Sequence, residues 1–194
     1  MDRVQDNQSD KTISHNNDSW ERTMRYIAER KQLEQTLGYL VEVSKVLVDT
    51  ADCSVTHPQI VRLSVPYFAD WCAIYTGDDQ EEVIPASYSD IAYPADSTIA
   101  NWVRENVVLI ARQSPEPQVI FEGTDEVEQV PRGNCALVAP IRGYGRAYGA
   151  FAAVRKTGSA LFGGADIAIA KELCRRLASS MEIQRIHAYG ARME

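Results

Sequence analysis

Two apolar runs joined by a short connection with two glycines constrain the fold more than any other feature of the chain. The runs cover residues 134–141 and 147–155, and Arg142-Gly-Tyr-Gly-Arg146 connects them. So short a connection joins antiparallel neighbours, because a parallel crossover needs a dozen or more residues. The sequence therefore predicts an antiparallel β-hairpin.

The spacing of apolar residues predicts further helices and strands before and after this hairpin. Apolar residues spaced three to four apart predict helices over 19–51, 57–66, 96–106 and 166–189. Alternation and short apolar runs predict strands over 71–76, 82–89 and 107–111. Residues 112–133 contain three prolines and an acidic cluster, and we expect them to be irregular. The order of elements indicates an α+β fold, with a mostly antiparallel sheet of about five or six strands flanked by long N- and C-terminal helices.

The two ends of the chain differ from its middle. Residues 1–18 are polar and are predicted to be a disordered tail, because they cannot bury enough apolar area to offset the entropy of ordering. The helix that follows is longer than a globular domain needs, so residues 19–35 are expected to be an extension that pairs with another helix. A folded domain is predicted over 36–188, with a tail over 189–194.

Composition excludes several classes of protein. The net charge is -7 and basic residues do not cluster, which argues against binding nucleic acid or an anionic membrane. The N-terminus lacks the apolar segment of a signal peptide, and apolar runs fall far short of the ~20 residues that span a bilayer. Four widely spaced cysteines are expected to be reduced thiols. We therefore expect a cytoplasmic protein.

Three segments follow one another in the order and spacing of a known family. Residues 65–75 look like the segment that leads into the family's first strand. Residues 137–151 resemble its late hairpin, in which a strand ends in proline and an aliphatic residue and the next strand opens with glycine. Phe162 and Asp166 resemble the Phe-x-x-x-Asp start of its last helix. Over residues 36–188 the chain resembles GAF domains, particularly those attached to bacterial histidine kinases and PP2C-type phosphatases.

The resemblance implies a ligand pocket between one sheet face and the helices over it, and a homodimer formed through the terminal helices. Ligands in the family range from cyclic nucleotides to bilins, haem and small metabolites, so the fold identifies neither ligand nor cofactor. The family places ligand contacts in the strand–helix–strand region. The candidate ligand-binding residues there are Tyr88, Ser97, Trp102, Arg112 and Asn134.

Trp102 lies on an apolar helix face, and this placement is also typical of an ordinary core residue. Two known GAF ligand modes are not expected. The cyclic-nucleotide mode uses an Asn-Lys pair and a final Glu, where this chain has Arg155, Lys156 and Ile167. The covalent bilin mode needs a cysteine, and residues 90–110 contain none.

One GAF branch reduces free methionine sulfoxide with a set of cysteines. Here Cys72 and Cys174 occupy apolar patterns and are interpreted as inert core residues. Cys135 begins a strand near the expected pocket mouth, and it is the candidate reactive thiol, but it lacks a resolving partner. No catalytic residue is predicted, and the three histidines are too scattered for a metal site.

These observations favour a sensory or regulatory module over an enzyme. In that hypothesis a small ligand or a signalling partner changes the packing of the terminal helices in a homodimer. The alternative is an interaction or dimerisation module with a vestigial pocket, filled by side chains such as Trp102. A reductase-like enzyme is the least favoured hypothesis.

Overall fold

The structure is a computed structural model that describes residues 6–50, 52–76, 84–89, 102, 105–107, 110–111, 113–121, 135–156 and 158–190. The chain divides into two compact units, Met1–Gly38 and Tyr39–Glu194. The first unit contains most of the first helix. The second contains the sheet and the other helices.

Three helices and five strands make up the described elements. The helices are α1 (Asp6–Asp49), α2 (Cys53–Phe68) and α3 (Gly164–Gly190). The strands are β1 (Trp71–Thr76), β2 (Ile84–Ser89), β3 (Gln118–Phe121), β4 (Cys135–Gly143) and β5 (Arg146–Arg155). Residues 102, 105–107, 110, 111 and 113 are also helical, and we call them the cover segment. No described helix combines the length and the apolar character needed to cross a membrane.

The strands form one sheet in the order β2-β1-β5-β4-β3, and each neighbouring pair is antiparallel. The α+β fold with a mostly antiparallel sheet is therefore confirmed. The hairpin is also confirmed, because β4 pairs with β5 from Cys135 opposite Arg155 to Gly143 opposite Arg146.

Register across the three central strands sorts side chains onto two faces. Each set of register partners across β1, β5 and β4 belongs to one of two clusters of buried residues, and successive sets alternate between the clusters. Examples are the sets Trp71–Val154–Ala136 and Cys72–Ala153–Leu137. We call the two clusters the helix-side cluster, which contains Cys72, and the cover-side cluster, which contains Trp71. Because these strands are buried on both faces, their sequences are nearly continuous apolar runs instead of alternating ones.

The helix-side cluster joins α2, α3 and the part of α1 in the second unit to the sheet. Phe68 of α2 packs edge-on against Phe151 of β5, with ring centroids 5.8 Å apart. The apolar face predicted for the last helix is confirmed by the burial of Ala170, Leu173, Cys174, Leu177 and Met181.

Arg155 fastens the start of α3 to the end of β5. Its guanidinium donates to the Phe68 carbonyl oxygen at 3.0 Å and to two carbonyl oxygens of the loop before α3. It also donates to both carboxylate oxygens of Asp166, at 2.8 and 3.2 Å, and lies 4.2 Å from the centroid of the Phe162 ring. The Phe162 and Asp166 pair seen in the sequence thus acts in folding, through one partly buried cation.

Helix α1 begins earlier than expected. The polar composition predicts a disordered tail over 1–18, but the helix runs from Asp6. Residues 6–18 contain neither Pro nor Gly, so nothing in them ends a helix nucleated by the residues that follow. Once nucleated, a helix gains one backbone hydrogen bond for each further residue.

Helix α2 also begins before the predicted start at residue 57. Asp52 caps it, since the Asp52 carboxylate accepts a 2.9 Å hydrogen bond from the Ser54 amide. The cap therefore outweighs the proline signal, and Pro58 lies inside the helix rather than in its first turn. The helix continues through Pro66, where it was expected to end, to Phe68.

The strand predicted over 107–111 is wrong. The described positions in this run are helical, and the buried ones recur at helical spacing: Trp102, Asn106, Val107, Ile110 and Ala111. Periodicity alone does not separate a short buried strand from a short buried helix. An edge strand comes instead from β3, inside the stretch 112–133 that was expected to be irregular.

Gly149 marks a close approach between β5 and β1. Its φ is +147°, and the β4–β5 register shifts nearby, between Ile141 and Arg142. A Cβ atom at this position would lie 1.8 Å from the Tyr75 carbonyl oxygen. Only glycine fits here without movement of the backbone.

We predict that Gly149→Ala lowers the free energy of unfolding by at least ~3 kcal/mol, because the backbone of a central strand must move. Urea unfolding followed by circular dichroism measures this. Gly163→Ala is the matched control, since its Cβ would meet nothing within 4 Å, and it should change stability by less than ~0.5 kcal/mol. Equal unfolding midpoints for the two variants would contradict the close approach.

His57 of α2 is a buried base. It is 5% exposed, and its Nε2 atom has no hydrogen-bond partner in the described part of the chain. Burial lowers the pKa of His57 to about 4, because the charged imidazolium would lose its hydration. The folded state therefore holds this side chain neutral at pH values where an exposed histidine is protonated.

Stability should fall as pH drops from ~6.5 towards 4, because the unfolded chain binds the His57 proton before the folded one does. The loss should reach about 2–3 kcal/mol at the lower limit. Urea unfolding at several pH values, compared with His57→Met, isolates this contribution from that of the carboxylates. If His57→Met has the pH profile of the parent, the histidine is not held neutral.

Candidate functional site

The sheet face under the cover segment is where the resemblance places a ligand pocket. In the described residues this face is the cover-side cluster. The strands contribute Trp71, Ala73, Tyr75, Ile120, Ala136, Val138, Ala150, Ala152 and Val154. The cover segment contributes Trp102, Val107, Ile110 and Ala111.

Small side chains occupy the middle of this face and large rings its margins. Ala73 and Ala152 are register neighbours, and Ala152 is also opposite Val138. Trp71 and Tyr75 are 1% and 2% exposed. The described part of the face is therefore filled by the chain's own side chains.

The chemistry of this face is apolar. Its polar atoms in the described cluster are the Tyr75 hydroxyl and the indole N–H groups of Trp71 and Trp102. No carboxylate, amine or imidazole belongs to the described cluster. Such a surface can select a ligand by shape and apolar contact, and it offers no pair of groups for acid–base catalysis.

The five candidate ligand-binding residues fall into three groups. Trp102 is 6% exposed and belongs to the cover-side cluster. Tyr88 lies in β2, where its backbone is the register partner of Cys72. Ser97, Arg112 and Asn134 lie outside the described residues. Ligand contact by all five stays a prediction.

Two residues that sequence reasoning did not select hold the cover segment in place. Asn106 is buried, and its amide donates a 2.9 Å hydrogen bond to the Trp102 carbonyl oxygen. Asn106 therefore lies within the helical turn instead of ending it. Arg142, at the end of β4, donates a 3.1 Å hydrogen bond to the Ala111 carbonyl oxygen. In the sequence, Arg142 is one of two arginines that flank the glycine turn, and its position there does not indicate this contact.

The four cysteines are free thiols, and three of them belong to the helix-side cluster: Cys72, Cys135 and Cys174. The expectation that Cys135 lies near the pocket mouth is not met, since its side chain is on the opposite sheet face from the cover segment. Burial raises the pKa of the Cys135 thiol. Burial also raises the pKa of the partly buried Cys53 to about 11. A thiol with a raised pKa is a poor nucleophile.

Sequence comparison identifies no family. No protein-family model matches the chain, and no curated protein matches its sequence.

Solved structures, in contrast, share this fold. A Burkholderia vietnamiensis protein described as a GAF sensor superposes with a TM-score of 0.61 at 16% identity, covering 79% of this chain and 97% of that one. The GAF domain of a Pseudomonas syringae pv. tomato protein described as a sensor histidine kinase gives 0.60 at 13% identity, covering 83% and 96%. A third similar structure is the free methionine-R-sulfoxide reductase of Neisseria meningitidis with its substrate, at 0.58 and 17% identity, covering 78% and 91%.

The likeness holds although the sequences have diverged widely. Each of the three solved chains matches this chain over more than nine tenths of its own length. The three differ in their described roles, so their likeness bears on architecture and not on ligand or reaction. We conclude that the chain has the fold of a GAF domain.

Proposed function

We propose that this chain is a sensory or regulatory GAF module that binds a small ligand or a protein partner and signals through its terminal helices in a homodimer. It regulates and does not catalyse. The observation that carries the proposal is an exposed apolar surface on α1, within the first unit.

This surface consists of six large apolar side chains in the first unit, each at least half exposed: Trp20, Met24, Tyr26, Ile27, Leu33 and Leu37. Their spacing is helical, as in Trp20, Met24 and Ile27 or in Leu33 and Leu37. A soluble helix with this much exposed apolar area gains free energy by packing against another helix, and a second copy of the same helix offers a matching surface.

In the second unit, the end of α3 also exposes large apolar side chains. Ile183, Ile186 and Tyr189 are 49%, 55% and 59% exposed at a spacing of three residues. These side chains lie beyond the buried face of α3, whose last buried residue is Met181. The C-terminal end of α3 therefore supports the second helix contact of the proposed dimer.

Directional contacts within the second unit tie α1 to its neighbours. The Tyr39 and Ser64 hydroxyls are 2.8 Å apart, and the Ser64 hydroxyl donates to the Ile60 carbonyl oxygen, so Tyr39 is the donor to Ser64. From α3, Arg176 donates to the Leu40 carbonyl oxygen at 2.8 Å.

Arg176 also contacts the Ser44 hydroxyl and is held by Glu172 at 2.7 Å. A shift of α2 or α3 therefore acts on α1 through named hydrogen bonds. This is what a module needs if ligand binding is to change helix packing.

Known structures with this fold support the regulatory interpretation over an enzymatic one. Two of those named above are described as sensors. The reductase of Neisseria meningitidis shows that the fold also supports catalysis. Here, however, Cys72, Cys135 and Cys174 are buried on the sheet face away from the cover segment.

We predict that Leu33→Glu weakens self-association by roughly tenfold or more and shifts the protein from dimer to monomer. The reason is that a charge replaces an apolar contact. Analytical ultracentrifugation over a range of concentrations measures this. Leu161→Glu is the matched control, since Leu161 is 63% exposed and Leu33 is 60% exposed, and it should leave the dimer intact. Equal association by both variants would contradict the role of α1.

A second candidate is an interaction module whose pocket is filled. The burial of Trp102 beside Trp71 and Tyr75 favours it, because these rings occupy the described part of the face where a ligand would bind. In this case the dimer itself, or its complex with a partner, is the function.

Trp102→Ala separates the two candidates. If Trp102 is a core residue, the substitution should lower stability by about 3–5 kcal/mol and create a cavity that binds small apolar molecules such as benzene. If instead Trp102 contacts a ligand, Trp102→Ala should cost far less stability and abolish ligand retention. Urea unfolding and ligand-induced shifts of the melting temperature measure the two effects.

A further inference from the structure

Helix α1 contains one glycine that neither close packing nor backbone conformation explains. Gly38 lies in the interior of α1, whose 44 residues include no other glycine and no proline. Beyond its own helical turns, a Cβ atom on Gly38 would meet no described atom within 4 Å. The described glycines with positive φ are Gly145, Gly149 and Gly158, so Gly38 is not one of them. Alanine would therefore fit at this position.

A glycine at such a position weakens the helix. It leaves the backbone more freedom outside the helix than alanine does, so it is among the least favourable residues in a helix interior. Gly149 provides the contrast, because a Cβ atom there would lie 1.8 Å from the Tyr75 carbonyl oxygen. Close packing requires Gly149, whereas the property that remains for Gly38 is the ease with which its backbone leaves the helix.

The residues that follow Gly38 are held by packing and hydrogen bonds in the second unit. The Tyr39 ring stacks on the Tyr67 ring of α2, with centroids 4.4 Å apart. The Tyr39 hydroxyl bonds to the Ser64 hydroxyl at 2.8 Å, and Val43 is fully buried. The boundary between the two compact units falls between Gly38 and Tyr39. The weakest residue of the helix thus comes directly before the first one that is held.

Hydroxyl side chains bond to backbone carbonyl oxygens of α1 on both sides of Gly38. The Thr36 hydroxyl donates to the Gln32 carbonyl oxygen at 2.9 Å. The Ser44 hydroxyl donates to the Leu40 carbonyl oxygen at 2.7 Å. Bonds of this kind compete with the helical ladder and slightly destabilise or bend a helix. The helix therefore has several features near Gly38 that favour local opening.

We propose that α1 opens locally at Gly38, and that this opening limits how far a change in the contacts after Gly38 acts on the exposed apolar surface before it. In the closed state the helix is continuous, and in the open state the hydrogen bonds that span Gly38 are broken. A ligand or partner that favours one state shifts the equilibrium. The opening itself is independent of the proposed function, whereas its effect on the dimer rests on it.

Hydrogen exchange of the full chain, resolved to single amides, tests the opening. The amides of residues 39–42 donate across Gly38, because each helical N–H bonds to the carbonyl oxygen four residues earlier. Gly38→Ala should slow their exchange by roughly fivefold, which is the difference in helix propensity expressed as an equilibrium constant. Residues 44–48 should stay within about twofold of the parent. Gly164→Ala is the matched control, since its Cβ would also meet no described atom within 4 Å, and it should change neither set.

A double-mutant cycle followed by analytical ultracentrifugation tests the effect on the dimer. Arg176→Gln removes one contact that holds the Leu40 carbonyl oxygen. It should change dimer affinity by less than about twofold in the parent and by about fivefold or more in Gly38→Ala, because an unbroken helix passes the change on. Circular dichroism checks that each variant is folded.

Equal exchange of residues 39–42 in the parent and in Gly38→Ala would overturn the local opening. Equal effects of Arg176→Gln in the two backgrounds would overturn its regulatory role. A monomeric parent would contradict the proposed dimer and with it this role, and the exchange experiment would still decide whether α1 opens at Gly38.

Discussion

Burial of the three central strands on both faces is the constraint on which the rest of the structure depends. The strands β1, β5 and β4 pair in a fixed antiparallel register, so each of their side chains packs on one of the two sheet faces. A slip of one residue would exchange the two clusters and place every large ring against the wrong layer. Gly149 is part of this constraint, because its missing Cβ lets β5 approach β1 close to the shift in the β4–β5 register.

The two faces of the sheet pack against different parts of the chain. The helix-side cluster anchors α2, α3 and the end of α1, and its polar contacts connect those helices through Tyr39, Ser64 and Arg176. The cover-side cluster holds Trp102 and its neighbours against a floor rich in alanine. Among the described residues, the sheet lies between the cover-side cluster and the helix-side cluster. Its rigidity therefore suits the proposed role, in which small shifts on one face alter helix packing on the other.

Sequence patterns predicted the elements whose signals are local and strong. The hairpin, β1 and the buried face of α3 follow from turn glycines and from periodicity, and they are confirmed. Residues 107–111 were wrong because a short apolar run fits a strand and a buried helix equally well. The edge strand β3 was missed because only four residues pair with β4, which leaves little pattern to detect.

The candidate site was less predictable than the fold. Trp102 was found because a tryptophan on an apolar helix face is conspicuous in the sequence. Asn106 and Arg142 were missed because they act on backbone carbonyl oxygens, and such contacts leave no spacing rule in the sequence. The same holds for Arg155, whose partners come from α2, α3 and the loop between β5 and α3.

Native mass spectrometry of protein purified without added ligand, followed by a denaturing spectrum, tests the central claim most directly. The first spectrum gives the oligomeric state and any retained mass, and the second shows whether that mass is covalent. The account predicts a dimer that carries a discrete, non-covalent small molecule or binding partner. A monomer without retained mass would contradict signalling through paired terminal helices.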